Sequence, residues 1–191
     1  MVFNPDFVSS SLHSGQLLVA TPDLKDSNFE KSVILLSAHA KDAGALGVVI
    51  NKPLQHTLGE FVEEFRHGPL ADVAIYLGGP VQQNQLILAG WQWSDCYQDF
   101  RLYFGMSQDK AVQLMQEGGP NVEIRGYLGY AGWSEGQLEE EIRHHAWFQA
   151  PVDPVCMLES SSPAEMWQTM VGRFHQGLDG LLKIPDDPSL N

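Results

Sequence analysis

At 191 residues, with 43% hydrophobic and 18% charged, the chain can bury a sizeable core without staples, and its composition excludes disorder. Eleven Lys and Arg stand against 24 Asp and Glu, a net charge of −13 with no basic block, which argues against direct contact with nucleic acid or an anionic membrane. Cys96 and Cys156 lie far apart and outside any C-x-x-C pair, so neither a disulfide framework nor a zinc motif is expected.

Residues 1–14 read as a loose arm. They lack a basic stretch followed by an apolar one, so no signal peptide is expected. The longest uncharged run, Val73 to Ser94, contains Gly-Gly-Pro and Gln-Gln-Asn-Gln and is not a membrane helix. A cytoplasmic location is the expectation. Gln16–Ala20 reads as a strand, stopped by Pro22. SVILLSA is a second strand and ALGVVINKP a third, ended by Pro53 because proline cannot donate to the ladder. Thr57 and Glu60 form a capping box, and Leu58, Phe61, Val62 and Phe65 recur at helical spacing, which predicts a helix from Leu58 to about Arg66. VAIYLGGP, QLILAG and DFRLYFG are further strands. Ser107 caps a helix from Gln108 to about Glu117, ended by Gly118-Gly119-Pro120. NVEIRGYLGYA alternates, with Val122, Ile124, Leu128 and Tyr130 on one face and Glu123, Arg125 and Tyr127 on the other, a strand with one buried face. A helix over 135–146 and a strand at PVDPVCML follow. Ser162 and Glu165 open a last helix with Met166, Trp167, Met170, Val171 and Phe174 on its apolar face and Gly177 at its end. Strands lead and helices are unevenly interspersed, so the fold class is α+β rather than regular βαβ winding. One domain over 15–177 is expected, with a tail over 178–191.

Gly132-Trp-Ser-Glu-Gly136 fits G-x-S-x-G, the nucleophile elbow of serine hydrolases, and sits between a predicted strand and helix. Asp153 and His175 follow in triad order. Against that reading, His175 falls on a predicted helix, and no second oxyanion segment is present. The alternative is structural. With Ser134 as N-cap, Gln137 completes a capping box and Trp133 with Leu138 makes a hydrophobic staple. Acidic Glu139–Glu141 and basic Arg143–His145 then complement the helix dipole, and Glu139 can pair with Arg143. Capping accounts for more residues, and it sets the cost of Ser134→Ala at about 1 kcal/mol.

LLVATPDLKDSNFEKSVILL, GALGVVINKPL, LGGPV and GYAGWSEGQLEEEI followed by AW together resemble the AlgH/YqgE family of bacterial proteins, from about Gly15 to Phe174. The resemblance implies a single α+β domain whose sheet, largely antiparallel or mixed, curls into a partial barrel with flanking helices. It implies no particular activity for most members. One branch carries a transcription-regulator name taken from control of alginate synthesis. Where the family often reads Cys-Glu-His, this chain has Ser37-Ala38-His39, so only His39 carries over. A redox role for that cysteine is absent here.

Several residues admit more than one reading. Lys52, at the carboxyl end of a buried-looking strand, is a ligand contact or a solvated lysine in the Asn51-Pro53 turn. Gly78-Gly79-Pro80 is a tight turn or, without a P-loop lysine, a weak anion cradle. Arg125 is an exposed residue, a buried ion-pair partner or an anion contact. Trp91 and Trp93 share one face, either in the core or on a contact patch. His39, His56 and His67 show no metal spacing, and His144 and His145 point about 100° apart, so no metal site is expected. No cofactor is expected either. The site hypothesis is a cleft lined by His39, Asn51, Lys52, Arg125 and Trp133. The expected function is a non-catalytic regulatory or interaction module that binds a small molecule or a protein partner. The alternatives are a nucleic-acid-binding regulator that gathers Lys25, Lys31, Lys52 and Arg66 into one patch, and an enzyme, either a Ser134 hydrolase or one of an unrecognised type.

Overall fold

The β-branched and apolar runs of this sequence pair side by side into one large sheet. A computed structural model describes residues 12–40, 42–94, 99–152, 157 and 162–182, with backbone alone at 163, 164 and 175–182. Its strands are β1 (Gln16–Ala20), β2 (Val33–Ala40), β3 (Gly44–Val49), β4 (Pro53–Thr57), β5 (Ala74–Leu77), β6 (Val81–Trp93), β7 (Phe100–Phe104), β8 (Val122–Trp133) and β9 (Trp147–Pro151). The helices are α1 (Leu58–Phe61), α2 (Gln108–Glu117), α3 (Gln137–Arg143) and α4 (Pro163–Leu182). The strand order is β4-β5-β8-β3-β2-β1-β9, and β6 joins β7 to β8. Pairing is antiparallel except between β5 and β8. The class is the expected α+β, and the sheet is mixed and does not close into a barrel.

Alternation places the cores. Leu17 and Val19 of β1 join Val33, Leu35, Val48, Trp91, Trp93 and Tyr127 in one cluster, completed by Met166, Met170 and Val171 of α4. Leu18 and Ala20 point the other way and pack with Ile34, Val49, Trp133, Leu138 and Trp147 beneath α3. A third cluster, with Leu58, Phe65, Ile75, Leu88 and Ala111, lies under α1 and α2. Trp91 and Trp93 are therefore core residues, 0% and 4% exposed. Both faces of β8 are covered. Arg125 and Tyr127, assigned by alternation to the less apolar face, are the more buried, at 7% and 0% exposed.

Other expectations give way for local reasons. Pro53 opens β4 instead of ending β3, because β4 pairs with β5 alone and the first position of an edge strand tolerates proline. The box at Thr57 forms, with Thr57 N–H donating to Glu60 Oε2 at 3.0 Å. The helix stops at Phe61, however, where Val62 turns extended (φ −125°) so that Phe65 and Leu70 can reach the core. β6 begins at Val81, and its exposed Gln82–Gln85 bulge out between the Val81–Tyr130 and Leu86–Leu128 pairs. Of the strand expected at PVDPVCML, residues 153–156 and 158 lie outside the described ones, and β9 occupies Trp147–Pro151, meeting it only at Pro151. α4 runs past Gly177 to Leu182, since a helix-interior glycine costs only about 1 kcal/mol and need not end the helix. The arm to residue 11 and the tail from 183 also lie outside the described residues.

Gly78-Gly79-Pro80 is a backbone crossing. Gly78 donates to Leu128 O at 2.9 Å while its carbonyl accepts from Val49 N–H at 2.8 Å. A Cβ at Gly78 would stand 2.2 Å from the Gly129 carbonyl oxygen. Gly78→Ala must push β5 off β8, so we expect a loss of about 2 kcal/mol or more in urea denaturation. An unchanged midpoint would mean that the crossing is loose.

Candidate functional site

The chemistry of the G-x-S-x-G segment is that of a clamp. Gly136, at φ +72°, rather than Ser134, opens α3. Ser134 N–H donates to Gln137 Oε1 at 3.0 Å, a bond that needs no serine hydroxyl. The Ser134 side chain caps nothing, which corrects the sequence assignment. Trp133 and Leu138 share a cluster, but with Gly136 as the cap they no longer stand at the positions that define a hydrophobic staple. One carboxylate organises the rest. Glu141 Oε2 accepts from the indole N–H of Trp133 and of Trp147, each at 2.8 Å. Its Oε1 accepts from Gln137 Nε2 at 2.9 Å. Phe29 from the β1–β2 loop stacks on Trp133 and meets Trp147 edge-on, at 6.3 and 5.7 Å. Glu139 pairs with His39 at 2.8 Å and not with Arg143, whose partner is Glu140.

Arg125 sits inside the sheet. Its guanidinium lies 4.4 Å from the Tyr76 ring centre and 4.7 Å from that of Trp91. Nε donates to Glu123 Oε1 at 3.0 Å and Nη1 to the Ile50 carbonyl at 2.9 Å. Burial opposes its charge, but Tyr127, Tyr76 and Glu123 outweigh burial and raise its pKa. Burial also pushes the Tyr127 hydroxyl up, against the pull of Arg125. Of the three sequence readings, the buried ion pair is the one realised.

Asn51 is 6% exposed and ties two chain segments. Its Oδ1 accepts from Val33 N–H at 2.8 Å, and its Nδ2 donates to the Lys31 carbonyl at 2.9 Å. Lys52 donates to Asn28 O at 2.6 Å. Partial burial lowers its pKa, while Glu30 and Asp26 pull it back up. Lys52 also lines a hollow of about 10 Å³ with Asn28, Gly79, Pro80 and Gln83, room for about one water. Thus His39 and Trp133 come together beneath α3, Asn51 and Lys52 sit at the β3–β4 corner, and Arg125 lies in the core. The lining of the Lys52 hollow does not include Arg125.

A larger cleft lies elsewhere, about 260 Å³, lined by Gln92, Trp93, Ser94, Asp99, Arg101 and Gly118. The sequence reading passed over it. The alternation of Asp99-Phe-Arg101-Leu-Tyr103 puts its charged residues on one face and was the available signal. Among the described residues no group of His, Cys, Asp and Glu could hold a metal ion, and no helix is long and apolar enough to cross a membrane.

Glu141→Ala would leave two buried indole N–H groups without an acceptor, at about 1–3 kcal/mol for each unsatisfied donor. We expect a loss of about 3 kcal/mol, while Ser134→Ala stays within about 0.5 kcal/mol. Equal losses in a denaturant titration would return the cap to Ser134.

Residues 17–178 match the family described as AlgH-like. A UPF0301 protein of Cytophaga hutchinsonii is 34% identical over 186 residues, covering 94% of this chain and 100% of that protein. One from Coxiella burnetii is 35% identical over 166 residues, covering 84% and 88%. The solution structure of AlgH from Pseudomonas aeruginosa superposes with a TM-score of 0.62 at 30% identity, over 94% of this chain and 98% of that one. A crystal structure of a Corynebacterium diphtheriae protein has the same fold, with a TM-score of 0.65 at 24% identity over 86% and 88%. The clamp, the glycine crossing and the Asn51 tie fall on the motifs that carried the resemblance, and this chain belongs to the AlgH-like family.

Proposed function

We propose that this protein is a non-catalytic binding module for a small molecule or a protein partner, and that any regulatory effect is exerted through that binding. One observation carries the reading. The motif side chains that look chemically active are engaged in holding the scaffold: His39 by Glu139, Lys52 by Asn28, Arg125 by Glu123 and Ile50, Trp133 by Glu141. A side chain fixed in this way positions strands and is poorly placed to turn over substrate. The alternative, direct action on nucleic acid, needs cations free to meet phosphates. Arg66 is instead paired with Glu63, and Lys52 lies in the field of Glu30 and Asp26. The Ser134 hydrolase reading is weakened by the role of its glycines, since Gly136 serves the left-handed turn that opens α3.

The experiment combines two assays on the full chain. Fluorescence anisotropy of labelled duplex and single-stranded DNA should stay flat at low salt. A fluorophosphonate probe should leave Ser134 unlabelled. DNA binding that weakens steeply with salt would replace this reading with that of a direct regulator. Labelling that vanishes in Ser134→Ala would replace it with that of a hydrolase.

A further inference from the structure

The cleft between the β6–β7 hairpin and the end of α2 carries charges of both signs that the scaffold does not use. Asp99 and Arg101 stand two apart on and beside β7, and Arg101 faces Gln92 across the ladder. The backbone of Asp99 is fixed, its N–H donating to Ser94 Oγ and its carbonyl accepting from Ser94 N–H, each at 3.0 Å. Among the described residues neither the Asp99 carboxylate nor the Arg101 guanidinium has an ion-pair or hydrogen-bond partner, and the two do not pair with each other. Gln92 is held between Tyr103 Oη (3.3 Å) and the Gly118 carbonyl (3.2 Å), so the wall between them is rigid. Gly118 ends the ten-residue α2, where the helix dipole is negative. Buried Trp93 supplies an aromatic wall.

We propose that this cleft binds a small zwitterion of the α-amino acid class, with its carboxylate on Arg101 and its ammonium between Asp99 and the carbonyl end of α2. The inference rests on the binding-module reading and specifies its ligand. A simple anion would meet Asp99 and the helix carbonyls, and a simple cation would meet Arg101, so only a molecule carrying both charges satisfies both ends. A guanidinium suits a carboxylate because it can donate two parallel hydrogen bonds. The volume of about 260 Å³ falls below the roughly 300 Å³ at which drug-sized pockets begin, which restricts the occupant to a small molecule.

The test is calorimetric titration of the full chain with the common α-amino acids. Each is run beside the amine that lacks the carboxylate and the acid that lacks the amino group. At least one amino acid should bind saturably and move the amide resonances of Gln92, Ser94 and Arg101. D99N and R101Q should each weaken it about tenfold or more, as should either truncated ligand, with unfolding midpoints unchanged. No saturation by about 10 mM for any amino acid, or equal affinity in both variants, overturns the assignment. A different metabolite or a protein that binds wild type, D99N and R101Q alike would also overturn it while leaving the binding-module reading intact.

Discussion

A guanidinium sealed inside a sheet is the constraint around which the rest of this fold is arranged. Removing one charge from water costs several kcal/mol, and the chain recovers that only if every neighbour is placed for it. Tyr76 of β5 and Trp91 of β6 present their rings to Arg125, Glu123 of the same strand supplies the countercharge, and Ile50 after β3 supplies a carbonyl. Four segments distant in sequence must therefore be in register before the charge is satisfied. β8 meets that demand by pairing with β3, β5 and β6 at once. Its Gly129, at φ +70°, lies where the β6 register jumps between Val81 and Leu86.

The far side of the sheet repeats the principle with opposite sign. Glu141 is an anion held by two indole N–H groups and one amide, and it fixes a helix of only seven residues that propensity alone would not hold. An inward cation on one face and a clamped anion on the other make the sheet specific about which strand goes where. Aliphatic packing alone tolerates more alternatives.

Much of this arrangement was legible in the sequence, and the failures share a cause. Local signals succeeded wherever the answer was local. β1 has the bounds its apolar run suggested, and α2 is capped by Ser107, whose hydroxyl accepts from Lys110 N–H. Alternation along β8 holds as far as Leu128, beyond which Gly129 turns Tyr130 onto the face of Tyr127. The face with Arg125 and Glu123 was assigned to the wrong environment, because it looks half-solvated until other strands close over it. Ser134 was misassigned for a similar reason. Its pattern satisfied a capping box, yet Gly136 takes up the left-handed turn and the helix starts two residues later. The five site residues do not share a cleft: His39 and Trp133 lie by α3, Asn51 and Lys52 at the β3–β4 corner, and Arg125 in the core. What the sequence could not give was their grouping, since the Asn51–Val33 and Arg125–Ile50 bonds span 18 and 75 positions.

This division bears on what family membership can transfer. The motifs shared with the AlgH-like family map onto the clamp, the glycine crossing and the Asn51 tie, all of which act on the backbone. Sharing them implies sharing the fold, as the match to the Pseudomonas aeruginosa structure bears out. It does not imply sharing a ligand. Asp99 and Arg101 lie outside those motifs, on a hairpin whose register is set by its partner strand and the Ser94 contacts. Substitutions there would leave the buried ion, the carboxylate clamp and the crossing undisturbed. A scaffold organised in this way can hold its architecture constant while the residues of that hairpin vary.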